Sequence, residues 1–275
     1  MPQIGQLVNL ALLEKVFMKL ALEAGARIIE IRDSAGLDSR RKSDGSLVTE
    51  ADKAADEILR SGLQECFPEL PVVSEECAES HATYSDEFFI VDPLDGTRNF
   101  AKGSSEFTVN IALVRNGVPV QGVVYAPDCD QMFHTAPAGG AIETRAASSA
   151  DAESAMCVVR DAVPPFKVVA SRSARKSPRF DEFLERIGDS NSDYRNSSIK
   201  FCMLAKGDFD FYPRFGPTME WDTAAGHAIL AAAGGTVLRY DERDVLTYGK
   251  PEYSNPAFLA ASSAQALRAF MRASQ

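Results

Sequence analysis

Two aspartates three positions apart follow an apolar run in the first half of the chain. Residues 88–91 lead directly into the segment Asp92-Pro-Leu-Asp-Gly-Thr97. The proline and the Asp-Gly pair favour a tight turn, which brings two carboxylates and a backbone carbonyl toward one point. Hard oxygen ligands of this kind suit Mg²⁺, which keeps its other positions for water and phosphate. The segment predicts a magnesium site, and a turn in which both aspartates only cap the chain is the alternative.

A phosphate site is expected beside this turn. Gly96 and Thr97 directly follow the second aspartate and are predicted to open a short helix. The first N–H groups of a helix have no partner inside it and attract phosphate oxygens. The turn therefore combines candidate ligands for a cation and for an anion.

Two further acidic positions accompany the turn. Glu75 ends a second apolar run, residues 70–73, which predicts a carboxylate beside Asp92. Asp52 follows Thr49 by three positions, and this spacing also fits a capping box in which Thr49 is the helix N-cap. The two roles of Asp52 are compatible, because a capped helix terminus can still present a carboxylate to a metal.

The second half of the chain contributes Trp221-Asp-Thr-Ala-Ala-Gly226. Asp222 is predicted to be the N-cap of a helix of small residues, at an exposed junction between a strand and that helix. The resulting number of carboxylates suits two metal ions that bridge an attacking water and a leaving oxygen. The candidates are Glu75, Asp92, Asp95 and Asp222, with Asp52 nearby.

The elements that position these residues follow from the spacing of apolar side chains. Residues 4–31 have the stripe of a long amphipathic helix, and a second helix is expected from Thr49 to before Pro68. Strands are predicted at 70–73 and 88–91, and a hairpin at 107–114 and 118–125 turns at Asn116-Gly117. Further strands are expected at 132–135 and after Gly140. Residues 144–154 are small and polar and predict a connection between subdomains 1–154 and 155–275.

In the second half of the chain, the predicted strands and helices alternate. Strands are predicted at 166–170, 209–212 and 236–240, and helices at 179–187, 198–205 and 222–233. Together with the first half this indicates an α/β chain, α+β in its first part and α/β in its second. Layers of helices around two packed sheets are the expected architecture.

Charge and composition exclude several classes of function. The chain has 275 residues and a net charge of −10, and such an acidic protein is a poor partner for nucleic-acid polymers. No apolar stretch approaches the roughly 20 residues of a membrane-spanning helix. Five scattered cysteines predict no disulfide framework and favour the cytoplasm. Peripheral association of the first helix with the inner membrane is the alternative location, and core packing explains its apolar stripe more simply.

The motifs resemble those of the inositol monophosphatase superfamily, a group of lithium-sensitive, Mg²⁺-dependent phosphatases. The resemblance rests on residues 92–97 and 221–226 with Ser74-Glu-Glu76 upstream, and it extends over nearly the whole chain. Within the superfamily, residues 106–113, 197–202 and 212–218 are similar to the bacterial bisphosphate nucleotidases. The resemblance implies the layered αβαβα sandwich of these enzymes.

The resemblance also implies a metal site with two or three Mg²⁺ ions. The first ion would be held by Glu75, Asp92 and the carbonyl of Leu94, and the second by Asp92, Asp95 and Asp222. Thr97, hydrogen-bonded to Asp52, would orient the attacking water and, with Glu75, help to deprotonate it. The amides of Gly96 and Thr97 would hold the phosphate.

The implied substrate is a small phosphorylated nucleotide, 3′-phosphoadenosine 5′-phosphate, which would be cleaved to AMP and phosphate in sulfate assimilation. Its sulfated parent is the second expected substrate. Ser197, Lys200 and Arg214 match nucleotide contacts of relatives, and Ser171 and Arg172 match a loop on the nucleoside side. Lysine and arginine there suit a second phosphate, although surface cations without a ligand are the alternative. Besides these residues, the expected substrate contacts are Glu75, Leu94, Asp95, Gly96, Thr97 and Asp222.

Two departures from the nucleotidase pattern bear on substrate choice. Ala174 stands where a histidine is frequent, and Asn99 is typical of the inositol phosphatases. Inositol monophosphatase or fructose bisphosphatase activity is therefore the alternative within the same chemistry. A catalytically silent cation-binding protein is the alternative of another class. A monomer and a homodimer are both compatible with the sequence.

Overall fold

The computed structural model describes residues 9–34, 46–145, 154–156 and 162–272. In this part of the chain, three layers of helices alternate with two large sheets. They are α1 Leu10–Ser34, α2 Ser46–Cys66, α3 Thr97–Phe100, α4 Pro178–Ile187, α5 Ile199–Ala205, α6 Ala224–Ala232 and α7 Ala264–Arg272.

The first sheet has seven strands in sequential order. Its strands are β1 Val72–Ser74, β2 Glu87–Asp95, β3 Thr108–Arg115, β4 Val118–Ala126, β5 Gln131–Thr135, β6 Ala141–Thr144 and β7 Ser154–Met156. Strand β1 runs parallel to β2, and the remaining neighbours are antiparallel. The hairpin between β3 and β4 turns at Asn116 and Gly117, whose φ angles of 50° and 76° suit this residue pair.

The second sheet is built from the later strands in the order β12-β14-β10-β8-β9. These strands are β8 Phe166–Ala170, β9 Ser190–Tyr194, β10 Phe211–Arg214, β12 Thr236–Arg239 and β14 Phe258–Ala261. The short strands β11 Thr218–Met219 and β13 Ser254–Asn255 pair with each other in a separate ladder.

The apolar core is divided into three layers by the two sheets. Successive residues of β2 point to opposite faces, so Phe89 packs with α1 and α2 whereas Phe88 packs toward the second sheet. Helices α5 and α6 lie between the sheets, and Phe201 and Ile229 belong to this middle layer. Helices α4 and α7 cover the far face of the second sheet, where Phe183 is buried. The layers run helix, sheet, helix, sheet, helix, which confirms the predicted αβαβα sandwich.

Most predicted elements occur, with shifts at their ends. Helix α2 begins at Ser46, so Thr49 lies inside its first turn and the prediction of Thr49 as the N-cap is wrong. The helix ends before Pro68 as expected. Predicted features at residues 1–8 and 40–45, and most of the connection at 144–154, lie outside the described residues. Strand β7 spans the predicted subdomain boundary and pairs with β6; the division at residue 154 stays a prediction.

The prediction for Asp222 is also corrected. Helix α6 begins at Ala224 with Thr223 as its N-cap, so Asp222 lies before the cap. Its Oδ2 atom instead accepts a hydrogen bond from the Met219 N–H at 2.8 Å. Trp221 is buried, with 5% of its surface exposed, and the junction is therefore not an exposed one. In the described part of the chain, no helix is long and apolar enough to cross a membrane.

Candidate active site

A bulge at the end of β2 places the first pair of aspartates. Asp92 pairs with Asn110 and Asp95 with Thr108, so β2 carries one residue more than β3 between these two pairs. In a regular strand, residues three apart point to opposite faces, and one extra residue changes this alternation. Pro93 has no N–H to donate to the neighbouring strand and fits the interruption.

Three carboxylates from different segments meet beside this bulge. One carboxylate oxygen each of Glu75, Asp92 and Asp222 lies within 4.8 Å of the other two. Glu75 reaches the cluster because β1 runs beside β2, and its N–H donates to the Val91 carbonyl at 3.3 Å. The geometry brings the two halves of the sequence together, as the motifs predicted. Asp95 is outside this three-residue set.

The cluster has the properties of a cation site. Asp92 is buried, its Oδ1 accepts from the Leu94 N–H at 3.1 Å, and its Oδ2 has no hydrogen-bond partner among the described residues. Burial, reinforced by Glu75, raises the pKa of Asp92 well above its usual value. Burial and the neighbouring Asp95 raise the pKa of Asp222 to about 7. Three carboxylates crowded around the buried Asp92 repel one another and favour a compensating positive charge, so the donor set fits a hard divalent cation.

Asp95 is held by a buried polar network that the sequence analysis did not assign. Its Oδ2 accepts from the Ser198 N–H at 2.5 Å. The Ser198 hydroxyl in turn donates to Asn110 Oδ1 at 2.6 Å and lies 2.9 Å from the Thr108 hydroxyl. Burial raises the pKa of Asp95, and the ammonium group of Lys200 opposes this shift. The signal in the sequence was a threonine and an asparagine inside the apolar run 107–114.

The turn after Asp95 has the predicted form. Gly96 is the N-cap of α3 in a left-handed conformation, with φ of 98°. A Cβ atom at this position would lie 2.8 Å from the Glu106 carbonyl oxygen, so only glycine fits. The helix opens at Thr97 as expected. Its phosphate-binding role stays a prediction.

Asp52 lies near the other acidic groups of the site. It is buried in α2, and burial followed by the charges of Glu76 and Glu75 raises its pKa to about 8. Burial and the neighbouring Glu76 raise the pKa of Glu75 to about 7. No hydrogen bond joins Thr97 to Asp52 within the described residues, and this pairing remains a prediction.

A cavity of about 350 Å³ opens beside the turn and collects most of the predicted substrate contacts. The predicted residues that line it are Asp95, Gly96, Thr97, Ser171, Arg172, Ser197, Lys200, Arg214 and Asp222. Glu75 and Leu94 are not part of this lining, although Glu75 belongs to the carboxylate cluster. Of the two departures from the nucleotidase pattern, Asn99 lines the cavity, whereas Ala174 is buried outside the lining.

Two cationic side chains line the same cavity as the carboxylates Asp95 and Asp222. Lys200 is buried, donates to the Ser197 carbonyl and lies 5.0 Å from the centre of the Tyr212 ring. Burial lowers the pKa of Lys200 to about 8, and Asp95 opposes this shift. Arg214 donates from Nη2 to the Pro217 carbonyl at 2.9 Å. The site therefore places two buried or half-buried cations within reach of the same cavity as Asp95.

Glu106 fixes the loops at the mouth of the cavity. Its Oε2 accepts from Arg172 Nη2 at 3.0 Å and also from the Asn196 side-chain amide. Arg172 and Asn196 both line the cavity, and they come from different loops of the second half. Glu106 is the first residue of the segment 106–113, which resembles the bacterial bisphosphate nucleotidases, but no separate role was predicted for it.

Aromatic and charged residues support the segment that carries Asp222. His81 stacks on Trp221 with ring centres 4.9 Å apart, and its Nε2 donates to the Ser74 carbonyl at 2.8 Å. It thereby joins the segments before Glu75 and before Asp222. His227 is buried, its Nδ1 lies 3.0 Å from the Tyr248 hydroxyl, and burial lowers its pKa to about 4, which fits a structural role.

The fold, the bulged strand and the carboxylate cluster define a metal-dependent phosphatase, and the chain belongs to the inositol monophosphatase family, whose model matches residues 9–274. The chain is similar to the 3′(2′),5′-bisphosphate nucleotidase CysQ of Salmonella typhimurium, with 41% identity over 90% of this chain and 98% of the relative.

Solved structures agree with this assignment. The crystal structure of CysQ from Bacteroides thetaiotaomicron superposes with a TM-score of 0.78 at 37% identity, over 92% of this chain and 97% of that one. An inositol monophosphatase from Anabaena gives a TM-score of 0.69 at 27% identity, over 96% of this chain and 97% of that one. The family resemblance inferred from the motifs is confirmed.

Proposed function

We propose that the chain is a Mg²⁺-dependent 3′(2′),5′-bisphosphate nucleotidase that releases phosphate from 3′-phosphoadenosine 5′-phosphate. The single observation that carries the proposal is the polarity of the cavity. Asp95 and Asp222 line it together with Lys200 and Arg214, and Asp222 also belongs to the three-carboxylate cluster. A substrate with two phosphates matches this lining, because one phosphate can meet a cation site and the other the side chains of Lys200 and Arg214.

The carboxylates are proposed to hold the metal. Glu75, Asp92 and Asp222 form the three-carboxylate cluster. The Leu94 carbonyl and Asp95 are proposed to complete the ligand sets for two ions. Divalent cations bound there supply positive charge that polarises the scissile phosphate and stabilises the leaving oxygen. The unpartnered Asp92 Oδ2 atom supports this assignment within the described chain.

The chain's own residues are proposed to orient the water and take up its proton. Thr97 lines the cavity and is assigned the orientation of the attacking water. Asp52 and Glu75 are assigned to take up this proton. Burial raises the pKa of Asp52 to about 8 in the metal-free protein, and a group near neutrality serves well as a proton acceptor. The phosphoryl group passes from the ribose oxygen to the water oxygen, and the proton released by water ends on the ribose oxygen.

Positioning of the phosphate is assigned to the turn after β2 and to the cationic side chains of the cavity. The amides of Gly96 and Thr97 are proposed to donate to the scissile phosphate. Ser197, Lys200 and Arg214 are proposed to bind the second phosphate, and Ser171 and Arg172 to contact the nucleoside. An inositol monophosphate lacks the second phosphate and leaves these cations unused.

Phosphate release from 3′-phosphoadenosine 5′-phosphate and from inositol 1-phosphate, measured side by side with Mg²⁺ and with Mg²⁺ plus Li⁺, tests the proposal. We expect faster, lithium-sensitive release from the nucleotide. A preference for the inositol phosphate would retain the metal site and overturn the substrate. Absence of release from both would favour the silent cation-binding alternative.

The cellular location follows from the cysteines as a prediction. No disulfide joins cysteines in the described ranges, and Cys157 lies outside them. Because a chain without a disulfide framework is typical of reducing compartments, we propose the cytoplasm as the site of action.

A further inference from the structure

Glu106 is an acidic residue beside a cavity that is proposed to bind a polyanion. It lies just before β3, and its carboxylate contacts Arg172 and Asn196, two residues of the cavity lining. A negative charge beside the site repels the phosphates of a nucleotide, which by itself weakens binding. This cost calls for a favourable contribution of the same residue that outweighs it.

The side chain of Glu106 joins the first sheet to two loops of the second. Arg172 follows β8 and Asn196 follows β9, and these strands are parallel neighbours, so both loops leave the second sheet at the same end. Arg172 Nη2 and the Asn196 side-chain amide donate to one oxygen of Glu106, Oε2. The backbone of Glu106 also adjoins the turn after Asp95, since its carbonyl oxygen would lie 2.8 Å from a Cβ atom on Gly96. One residue therefore links the turn assigned to the scissile phosphate with the loops of the nucleoside side.

The contact with Glu106 restricts both donors before a ligand binds. The Arg172 side chain is 62% exposed, and a long exposed side chain without an acceptor samples many rotamers. A carboxylate oxygen only accepts hydrogen bonds, so Asn196 has to present its NH2 group to Glu106, which fixes the orientation of its amide. Side chains that are ordered in advance lose less entropy on binding, and affinity rises without any new contact.

We propose that Glu106 is a positioning residue that orders Arg172 and Asn196 for the nucleoside part of the substrate. This inference rests on the proposed nucleotidase function and adds to it a residue that favours nucleotides over phosphate compounds without a nucleoside. Glu106 acts through the two side chains that it holds. A ligand without a nucleoside does not use them and gains no affinity from Glu106.

The test compares Glu106→Ala, which removes the acceptor, with Glu106→Gln, whose amide oxygen has two lone pairs for the same two donors. For Glu106→Ala we expect KM for 3′-phosphoadenosine 5′-phosphate to rise about tenfold, equivalent to about 1.4 kcal/mol, with little change in kcat. The dissociation constant of AMP, measured by calorimetry, should rise by a similar factor. The inhibition constant of inorganic phosphate should stay the same or fall, and Glu106→Gln should recover most of the affinity for the bisphosphate.

Glu143→Ala is the matched control for the loss of a half-buried carboxylate. Glu143 also accepts from a cation, Lys206 at 2.9 Å, and from a side-chain amide, Gln131 at 3.3 Å. Its side chain is 19% exposed and that of Glu106 is 23% exposed, but Glu143 and its two donors do not belong to the cavity lining. Partly exposed ion pairs contribute little to stability, so both variants should melt close to the wild type, and only Glu106→Ala should raise KM.

A double-mutant cycle tests whether Glu106 acts through its two donors. In a chain that already carries Arg172→Ala and Asn196→Ala, adding Glu106→Ala should change KM by less than about twofold, because the groups that it positions are gone. A full tenfold effect in that background would show that Glu106 acts by another route and would overturn the proposal.

The remaining outcomes separate this inference from the proposed function. An unchanged KM in Glu106→Ala, or an equal rise in Glu143→Ala, would overturn the positioning role. A lower KM in Glu106→Ala would also overturn it, because Glu106 would then compete with the substrate for Arg172. If the wild-type chain releases no phosphate from the bisphosphate, the proposed function fails. Calorimetry with AMP then decides the role of Glu106, and equal affinities of wild type and Glu106→Ala would overturn that role as well.

Discussion

Asp95 differs from the other carboxylates of the site because the protein already satisfies part of its hydrogen-bonding capacity. Its Oδ2 accepts from the Ser198 N–H, and the charge of Lys200 favours its ionised form. An amide at this position can still accept that hydrogen bond through its carbonyl oxygen. An asparagine side chain is neutral, however, and does not replace the negative charge of the aspartate.

Asp95→Asn is therefore expected to abolish phosphate release while the fold is retained. The reason is that the substitution removes one anionic ligand and leaves the Ser198 contact available. Steady-state phosphate release and circular dichroism measure the two effects. A loss of at least about 100-fold in kcat corresponds to about 2.7 kcal/mol of transition-state stabilisation.

Asp241→Asn provides the control for this substitution. Asp241 pairs with Arg179 at 2.5 Å, and its side chain is 61% exposed. Exposed ion pairs contribute little to stability, so this variant should behave as the wild type in both measurements. Near-normal activity of Asp95→Asn would remove Asp95 from the proposed metal site.

At the scale of secondary structure, the site depends on how closely α6 approaches the first sheet. A Cβ atom on Gly122 of β4 would lie 2.6 Å from the Ala225 carbonyl oxygen, which is backbone and has no room to move alone. Ala225 is the second residue of α6, and Asp222 precedes that helix by two positions. The glycine therefore sets the distance between the sheet that carries Asp92 and the helix that follows Asp222.

Gly122→Ala is expected to push α6 outward, weaken metal binding and lower thermal stability. Overpacking of this kind typically costs about 1–3 kcal/mol. Trp221, the sole tryptophan of the chain, precedes Asp222 and stacks on His81, so its fluorescence reports on this segment during a Mg²⁺ titration. The midpoint of that titration should move to higher Mg²⁺ concentration.

Gly25→Ala is the matched control, because its Cβ atom would lie 2.5 Å from the Tyr125 ring, on the other face of the sheet. It should lower stability and leave the midpoint of the Mg²⁺ titration unchanged. Equal effects of both substitutions on the midpoint would show that α6 does not set the geometry of the site.

Some elements have clear local signals in the sequence, and others do not. The hairpin around Asn116 was predictable because local turn chemistry and apolar alternation agree there. Strand β9, with the sequence Ser-Asn-Ser-Asp-Tyr, was missed because it is polar and lies at the edge of the sheet, held by backbone pairing with β8. Strand β14 and helix α7 received no prediction, although β14 pairs with both β10 and β12.

The sequence predicted the types of residue in the candidate site, but it did not predict all of the contacts between them. The acidic motifs identified Glu75, Asp92 and Asp222, which the fold brings within 4.8 Å. Ser198 was not assigned, because its role depends on tertiary neighbours that local spacing does not reveal. The N-cap role of Asp222 failed because its carboxylate accepts from the preceding turn.

At the scale of the whole molecule, the carboxylate cluster joins the two halves of the chain. Glu75 and Asp92 belong to the first sheet and its loops, and Asp222 precedes a helix of the middle layer. Without a cation, these groups repel one another across the junction. Metal binding should therefore stabilise the entire fold as well as prepare the site for catalysis.

Because repulsion within the carboxylate cluster affects the whole fold, the stability of the metal-free protein should depend on pH in an unusual way. Burial raises the pKa of Asp222 and Glu75 to about 7 and that of Asp52 to about 8, from ordinary values of 3.8 to 4.5. Between these limits the folded state binds more protons than the unfolded state, so the free energy of unfolding falls as pH rises. The decrease should extend from about pH 4 to about pH 8 and be complete above it.

Thermal unfolding in EDTA and in Mg²⁺ across this range measures the effect. The melting temperature in EDTA should fall between pH 5 and pH 8 through this contribution, and the increase produced by Mg²⁺ should grow with pH because the ligands must be ionised to bind it. Asp222→Asn removes one of the repelling charges, so it should flatten the decrease in EDTA and reduce the gain from Mg²⁺. A gain from Mg²⁺ that is the same at pH 5 and pH 8, or unchanged in Asp222→Asn, would show that the cation binds elsewhere.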